Sequence, residues 1–321
     1  MLLAEDFWLS WIDSNDLQDG IMTVIQGLLE GIIDGVWILV LPLLGMGGIV
    51  ATLWLWLKRR DQTVKLPIDR DALLRLPGYG LQQQISDRQM DVIGYLLLAV
   101  LITTAPFAGV GAKALLTRET PPYFILLAIL LCLLSCCLRA WKNLQQLNRY
   151  RLGYVAELAT AAELLRLQGM GYQVFHDIQA EGFNIDHLVV GANGVFAIET
   201  KGRHKWLRDA RQRGKNHEIV FRDERLQFPS WYETEPLIQA ERQACWVHQW
   251  LSKAVGAAIP VTPVLVFPGW YIKLQSRPPF PVINHKQLVS TLPRLGVLLF
   301  SQEQINALSY QIAQRCVQGS P

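Results

Sequence analysis

Three apolar runs limit what this chain of 321 residues can fold into. They cover Val36–Leu57, Val92–Ala112 and Tyr123–Leu138, and none of them contains a charged residue. A membrane-spanning helix needs about 20 apolar residues, which the first two runs supply. The third run is shorter, even if its helix begins at Pro121, so a buried core helix is a stronger alternative there. The runs predict an all-α transmembrane region of three helices.

The distribution of charge predicts the orientation of these helices. Residues 1–35 carry seven acidic and no basic side chains, whereas Lys58, Arg59 and Arg60 follow the first run directly. Residues 139–321 carry 21 basic and 14 acidic side chains. Because basic residues accumulate on the cytoplasmic side, we expect an extracytoplasmic N-terminus, a cytoplasmic loop 58–91 and a cytoplasmic C-terminal region. The chain is then an integral protein of a bacterial inner membrane.

The membrane region has the character of an anchor. Transporters usually place ionisable side chains inside their spans, and these runs have none, which argues against a channel-like protein with a regulatory domain. Residues 17–35 favour an amphipathic helix on the membrane surface, although Gly27, Gly31 and Gly35 also fit close helix packing. The five cysteines lack zinc-site or disulfide spacing, which favours a reducing compartment.

Residues 150–321 predict a mixed α/β domain, joined to the membrane region 36–138 by a linker over 139–149. A helical period over Gly153–Gln168 ends at Gly169. The expected strands cover Tyr172–Asp177, Asn184–Val190, Val195–Lys201, Val261–Phe267 and Val282–Asn284, with a short hairpin within Ile219–Phe228. The remaining helices cover Leu237–Leu251 and Gln302–Cys316, the latter capped by Ser301 with Gln304 three residues on.

The hairpin around Asn193-Gly194 brings together three charged side chains. With a loop of those two residues, Asp186 lies opposite Lys201; with a four-residue loop, it lies opposite Glu199. Because side chains alternate along a strand, all three share one face in either register. Neighbouring carboxylates repel unless a cation lies between them, and oxygen-rich sites favour Mg²⁺ or Mn²⁺. Lys201 would orient and polarise an attacking water, which suits phosphodiester hydrolysis.

This pattern resembles the D…(D/E)-x-K core of the restriction-endonuclease-like superfamily and, more narrowly, the nuclease-related domain (NERD) family. The similar segments are Gly153-x-x-x-Glu157, FHDI at Phe175–Ile178, Asn184–Lys201, Pro236-x-x-Gln239 and VFPGW at Val266–Trp270. They cover about 150–316, roughly half of the chain. The resemblance implies a mixed-sheet nuclease fold, although Ile185 stands where a proline often precedes the first aspartate.

The resemblance also implies roles for individual residues. Asp186 and Glu199 would bind a divalent metal together with the Thr200 backbone carbonyl. Glu157 would be a further acid at the metal, Lys201 would act on the attacking water or the transition state, and Gln239 would position water or substrate. Glu157 and Gln239 also fit ordinary polar positions on a helix, and both interpretations stay open.

A basic run begins directly after Lys201 and predicts a phosphate-binding surface. Its members are Arg203, Lys205, Arg208, Arg211, Arg213 and Lys215. Anionic lipid headgroups are an alternative partner for such a loop, and Trp206 offers a ring on which a base can stack. With a catalytic face next to it, the run favours nucleic acid, DNA rather than RNA.

Together these features predict a membrane-anchored, Mg²⁺- or Mn²⁺-dependent nuclease that hydrolyses DNA on the cytoplasmic face. The alternative is a membrane-tethered nucleic-acid binder or adaptor without catalysis. The lipid bilayer and nucleic acid are the expected partners, and a homo-oligomer stays open.

Overall fold

The computed structural model of the protein describes residues 44, 47–64, 67–69, 71–106, 123–207, 209, 216–296 and 300–318. The acidic segment 1–35, much of the first predicted span, the ends of the other two and Arg208, Arg211, Arg213 and Lys215 lie outside these ranges. The chain divides into two compact units: 1–67 with 90–143, and 68–89 with 144–321.

The described residues of the first unit are almost all helical. Residues 47–63 are helical, α1 covers Tyr79–Pro106 and α2 covers Tyr123–Gln168. The first residues of α1 and the last residues of α2 belong to the second unit. By length and composition alone, one helix among the described residues, Leu126–Gln168, is able to cross a membrane. Three transmembrane helices therefore remain a prediction.

The second unit is a mixed α/β domain built on a five-stranded sheet. The strands lie in the order β1-β2-β3-β7-β9, antiparallel from β1 to β3 and parallel from β3 to β9. Their bounds are Gln173–Ala180 for β1, Phe183–Gly191 for β2, Gly194–Thr200 for β3, Val261–Val266 for β7 and Val282–Ile283 for β9.

A second, four-stranded sheet lies in the order β6-β5-β4-β8. The bounds are Glu218–Arg222 for β4, Arg225–Gln227 for β5, Tyr232–Glu233 for β6 and Tyr271–Leu274 for β8. The hairpin predicted within Ile219–Phe228 is confirmed as β4 and β5. Phe221 of this sheet and the adjoining Phe228 and Trp270 pack in one apolar cluster with residues from the start of the helix Glu235–Val255.

The helices of the domain cover both faces of the five-stranded sheet. α3 covers Glu235–Val255, α4 covers Leu288–Thr291 and α5 covers Gln302–Arg315, with short 3-10 turns at His285–Gln287 and Leu292–Arg294. Residues of α3 and α5 pack on the face that carries Leu188 and Ala197. The end of α2 packs on the opposite face, which carries Val189 and Phe196. The predicted capping box of Ser301 and Gln304 is confirmed.

Three features differ from the sequence prediction. The turn of the central hairpin is Ala192-Asn193, because Gly191 pairs with Gly194. Glu157 lies deep inside α2, so Gly153 does not open a helix, and the expected linker 139–149 is helical. Residues 68–89, expected to be part of a membrane loop, belong to the domain.

Candidate active site

The end of the central hairpin brings Asp186, Glu199 and Lys201 together. The observed register is the one in which Asp186 lies across from Glu199, one pair beyond the last backbone pair, His187 with Ile198. The Asp186 carboxylate accepts a hydrogen bond of 2.7 Å from the Thr200 backbone N–H. The Asp186 side chain thereby accepts the Thr200 N–H at the point where the backbone pairing between β2 and β3 ends.

Lys201 is held by two side-chain oxygens. Its Nζ lies 2.5 Å from Glu199 Oε1 and donates a 2.7 Å hydrogen bond to Gln239 Oε1. Gln239 lies in the first turns of α3, which begins at Glu235 with Pro236 in its first turn. The backbone N–H of Lys201 also donates to the Val266 carbonyl, at 2.8 Å, so the main chain is fixed to β7 at this point.

Glu157 of α2 completes the cluster. Its side chain is buried, at 7% exposure, and its carboxylate accepts a hydrogen bond from the backbone N–H of Gly78. Burial raises the pKa of Glu157 to about 8, and the negative charges of Asp177 and Glu199 add to this effect. Thr160, one turn further along α2, lies 3.2 Å from the Thr200 hydroxyl and ties the helix to β3.

The carboxylates influence one another strongly. Burial raises the pKa of Asp186 well above its usual value, and the charges of Glu199 and then Glu157 raise it further. The Thr200 N–H and Lys201 act in the opposite direction without cancelling this effect. One lysine therefore does not neutralise the cluster, and a bound cation would favour the ionised forms of Asp186 and Glu157.

The donor chemistry of the cluster fits a divalent metal. Glu199 Oε2 is buried without a hydrogen-bond partner, and carboxylate oxygens are the ligands that Mg²⁺ and Mn²⁺ prefer. Within the described ranges, no group of three or more His, Cys, Asp and Glu side chains has the arrangement of a preformed metal site. Lys201 Nζ lies 2.5 Å from Glu199 Oε1, so this possible metal-ligand oxygen is already engaged in an ion pair.

An open cleft of about 1070 Å³ gives access to these groups. Besides the charged cluster it is lined by Trp206 and Trp231 and by Leu152 of α2. Gly202 at its base requires the absence of a side chain, because a Cβ there would lie 2.8 Å from the Leu152 carbonyl oxygen.

The described part of the basic run is engaged in contacts within the domain. Arg203 binds Glu233 through both its Nε and NH2 atoms, and the Trp231 indole donates to the same carboxylate. Burial works to raise the pKa of Glu233, but the Arg203 and Trp231 hydrogen bonds outweigh it and hold the pKa below its usual value. Lys205 donates a 2.6 Å hydrogen bond to the Gly269 carbonyl. The nucleic-acid surface predicted from these residues stays a prediction.

Asp177 was not assigned a role by sequence reasoning, although it lies within the FHDI motif. It adopts a left-handed φ of 50° and is almost fully buried. Its carboxylate accepts 3.0 Å hydrogen bonds from the Gly80 N–H and from Asn184 Nδ2. Burial raises the pKa of Asp177 despite these donors and the charge of Arg75. The signal available in the sequence was an acid in the strand before Asp186: the β1–β2 register pairs His176 with His187 and Ile178 with Ile185, which puts Asp177 and Asp186 at neighbouring positions of the two strands.

The residues expected at the site thus converge from four parts of the fold. Glu157, Asp186, Glu199, Lys201 and Gln239 line one cleft. His187, expected to be structural, is fully buried on the other face of β2, with its Nδ1 atom 2.8 Å from that of His176.

Comparison with known proteins agrees with this geometry. No curated protein and no solved structure shows a significant match to the chain. Residues 152–268 match the family model described as nuclease-related domain, NERD. The matched segment runs from the α2 residues next to Glu157, through the hairpin and α3, to the residues after β7. Residues 152–268 of this chain are therefore a nuclease-related domain.

Proposed function

We propose that this chain is a membrane-anchored, metal-dependent nuclease that hydrolyses phosphodiester bonds of DNA on the cytoplasmic face of the membrane. One observation carries the proposal: the carboxylates of Glu157, Asp186 and Glu199 and the Lys201 ammonium meet in one open cleft, and these residues lie in the segment that matches the nuclease-related domain family.

Each residue of the cluster has a distinct part in this proposal. Asp186, Glu199 and Glu157 would hold the cation, and the Thr200 carbonyl would add a further oxygen. A bound Mg²⁺ or Mn²⁺ lowers the pKa of water and offsets negative charge on the phosphate. Lys201 orients the attacking water and stabilises the charge that develops on the phosphate oxygens. Gln239 keeps the Lys201 ammonium aimed into the cleft through its 2.7 Å hydrogen bond.

The cleavage test uses the full chain in detergent with duplex DNA, single-stranded DNA and RNA of one sequence, with Mg²⁺, Mn²⁺ or EDTA. We expect metal-dependent cleavage of DNA that Asp186→Asn and Lys201→Met abolish. Lys253→Met, which changes an exposed lysine near the end of α3, is the matched control and should keep full activity. Equal cleavage by the wild type and Lys201→Met would refute the catalytic assignment.

A non-catalytic nucleic-acid binder is the second candidate, and one observation favours it. Lys201 is already engaged by Glu199 and Gln239, and the described residues hold no preformed metal site. This candidate predicts DNA binding that persists in EDTA and weakens steeply with salt, with no turnover. Binding of that kind by a protein that cuts no DNA would replace the nuclease proposal.

The membrane orientation is tested separately. The uncharged runs and the basic segments that flank them support an anchor with a cytoplasmic domain. A green fluorescent protein fused after residue 321 should fluoresce in intact cells, and the fusion should stay with the membranes after a high-salt wash. An extracytoplasmic signal from a reporter at this position would overturn the orientation.

A further inference from the structure

Residues 68–89 lie outside the segment that matches the family, yet they form one compact unit with residues 144–321. The attachment uses the end of the chain. The Arg75 N–H donates to the Cys316 carbonyl at 2.6 Å, and the Gln318 N–H donates to the Leu73 carbonyl at 2.8 Å. Leu74 and Val317 form an antiparallel bridge between these two bonds. The segment is therefore fixed to the domain on both sides of Leu74.

From this attachment the chain passes directly to the buried acids. The backbone N–H of Gly78 donates to the Glu157 carboxylate, and the backbone N–H of Gly80 donates to Asp177 at 3.0 Å. Two backbone donors, two residues apart, thus hold two buried carboxylates. Gly80 lines the cleft, and so do Leu81 and Gln84 in the first turns of α1.

The local geometry leaves little freedom for this contact. Gly78 adopts a left-handed φ of +68°, and a Cβ there would lie 2.6 Å from Tyr154 Cδ2. Arg75 NH1 lies 3.9 Å from Asp177 Oδ2, and both side chains are almost fully buried, at 4% and 6% exposure. The short stretch before α1 therefore approaches Glu157 through backbone alone, with an arginine anchoring it beside Asp177.

We propose that residues 75–84 form a positioning element of the active site, in which Gly78 holds the Glu157 carboxylate in place for a divalent cation. The identity of the ligand rests on the proposed function. The contacts themselves rest on the fold, and they mean that a complete site requires a segment lying far before the matched domain. Loss of a hydrogen bond to a metal-binding side chain typically weakens metal binding about 10- to 100-fold.

The test measures Mn²⁺ affinity of the full chain in detergent, from the electron paramagnetic resonance signal of free Mn²⁺, with thermal unfolding as the check of folding. We expect Gly78→Ala to weaken Mn²⁺ binding about tenfold, because its Cβ displaces the donor. Gly256→Ala is the matched control: its φ of +73° imposes the same backbone strain, but a Cβ there meets nothing within 4 Å. It should bind Mn²⁺ like the wild type.

A milder variant covers the case in which Gly78→Ala does not fold. Gly80→Ala has no left-handed φ, and its Cβ would meet the movable Asn184 amide at 3.0 Å. We expect it to fold and to bind Mn²⁺ more weakly than the wild type, but by less than the roughly tenfold expected of Gly78→Ala, because its Cβ meets a side chain that is able to move. If the folded variant or variants bind Mn²⁺ as tightly as Gly256→Ala, the positioning role is refuted while the proposed function stands. A wild-type chain that binds no Mn²⁺ refutes both.

Discussion

Replacing Glu157 by glutamine separates the cost of a buried charge from its use in metal binding. The pKa of Glu157 is raised from 4.5 to about 8, so the folded state holds a proton that the unfolded chain releases. The contribution of Glu157 to folding stability is then largest at low pH and falls as the pH rises from 4.5 towards 8. At about 1.4 kcal/mol for each pKa unit, the loss by pH 7.5 is about 4 kcal/mol.

Glu157→Gln should remove this loss, because the amide oxygen still accepts the Gly78 N–H and carries no charge. For a domain of this size, about 4 kcal/mol corresponds to a Tm difference of roughly 10 °C. We therefore expect the metal-free variant to melt roughly 10 °C above the wild type at pH 7.5 and at the same temperature near pH 4.5. With saturating Mn²⁺, the wild type should regain most of the difference.

The assay is thermal unfolding of the full chain in detergent with EDTA, followed by tryptophan fluorescence across this pH range. Glu241→Gln, which changes an exposed glutamate on α3, is the control and should leave the Tm unchanged at each pH. A difference between Glu157→Gln and the wild type that is independent of pH would refute the reasoning, because it would show that the charge of Glu157 is not what the substitution relieves.

Three further predictions follow from the same geometry. Lys201→Met should lower the rate of DNA cleavage at least 100-fold in a single-turnover assay while Mn²⁺ still binds, because a charge at the phosphate is lost; a near-normal rate would contradict this. Gly202→Ala should lower the free energy of unfolding by about 1–3 kcal/mol in denaturant titrations, because its Cβ overlaps the Leu152 carbonyl; unchanged stability would argue against the close approach. Burial lowers the pKa of His176 to about 4 and that of His187 well below its usual value. The stability that these neutral histidines contribute above about pH 6.5 should therefore be lost on acidification towards pH 4. His176→Gln should reduce that loss in pH-dependent Tm measurements.

The hairpin was predictable because strand parity is a local property. Asp186, Glu199 and Lys201 share a face with either a two-residue or a four-residue loop, so the prediction did not depend on the turn. The turn itself was displaced by one residue, because Gly194 serves as the first residue of β3 with a φ of +147°. Asn193 instead supports the turn through its side chain, which binds the Tyr172 hydroxyl and the carbonyls of Leu292 and Leu295.

The positions of residues 68–89 and of the start of α2 were not predictable in the same way. Arg70, Arg75 and Arg88 gave the segment the appearance of a solvated loop next to a membrane. Its contacts with Glu157, Asp177 and Cys316 are made largely by backbone groups, which leave no periodic pattern in the sequence. Gly153 likewise predicts a helix start but lies inside α2. A glycine costs helix stability but is tolerated there because another helix packs closely: a Cβ at Gly153 would lie 3.2 Å from the Leu81 side chain of α1.

The balance of charge in the cleft connects the stability of the domain with its proposed activity. Three acids, Glu157, Asp186 and Glu199, share the single Nζ of Lys201, and an oxygen of Glu199 is left without a partner. Apolar side chains of the same size would remove this cost, so structural support alone is a poor reason for such a cluster. A cation would convert the mutual repulsion into attraction and would leave Lys201 to act on the substrate. The same residues that destabilise the metal-free domain at neutral pH are therefore those expected to bind the metal most tightly.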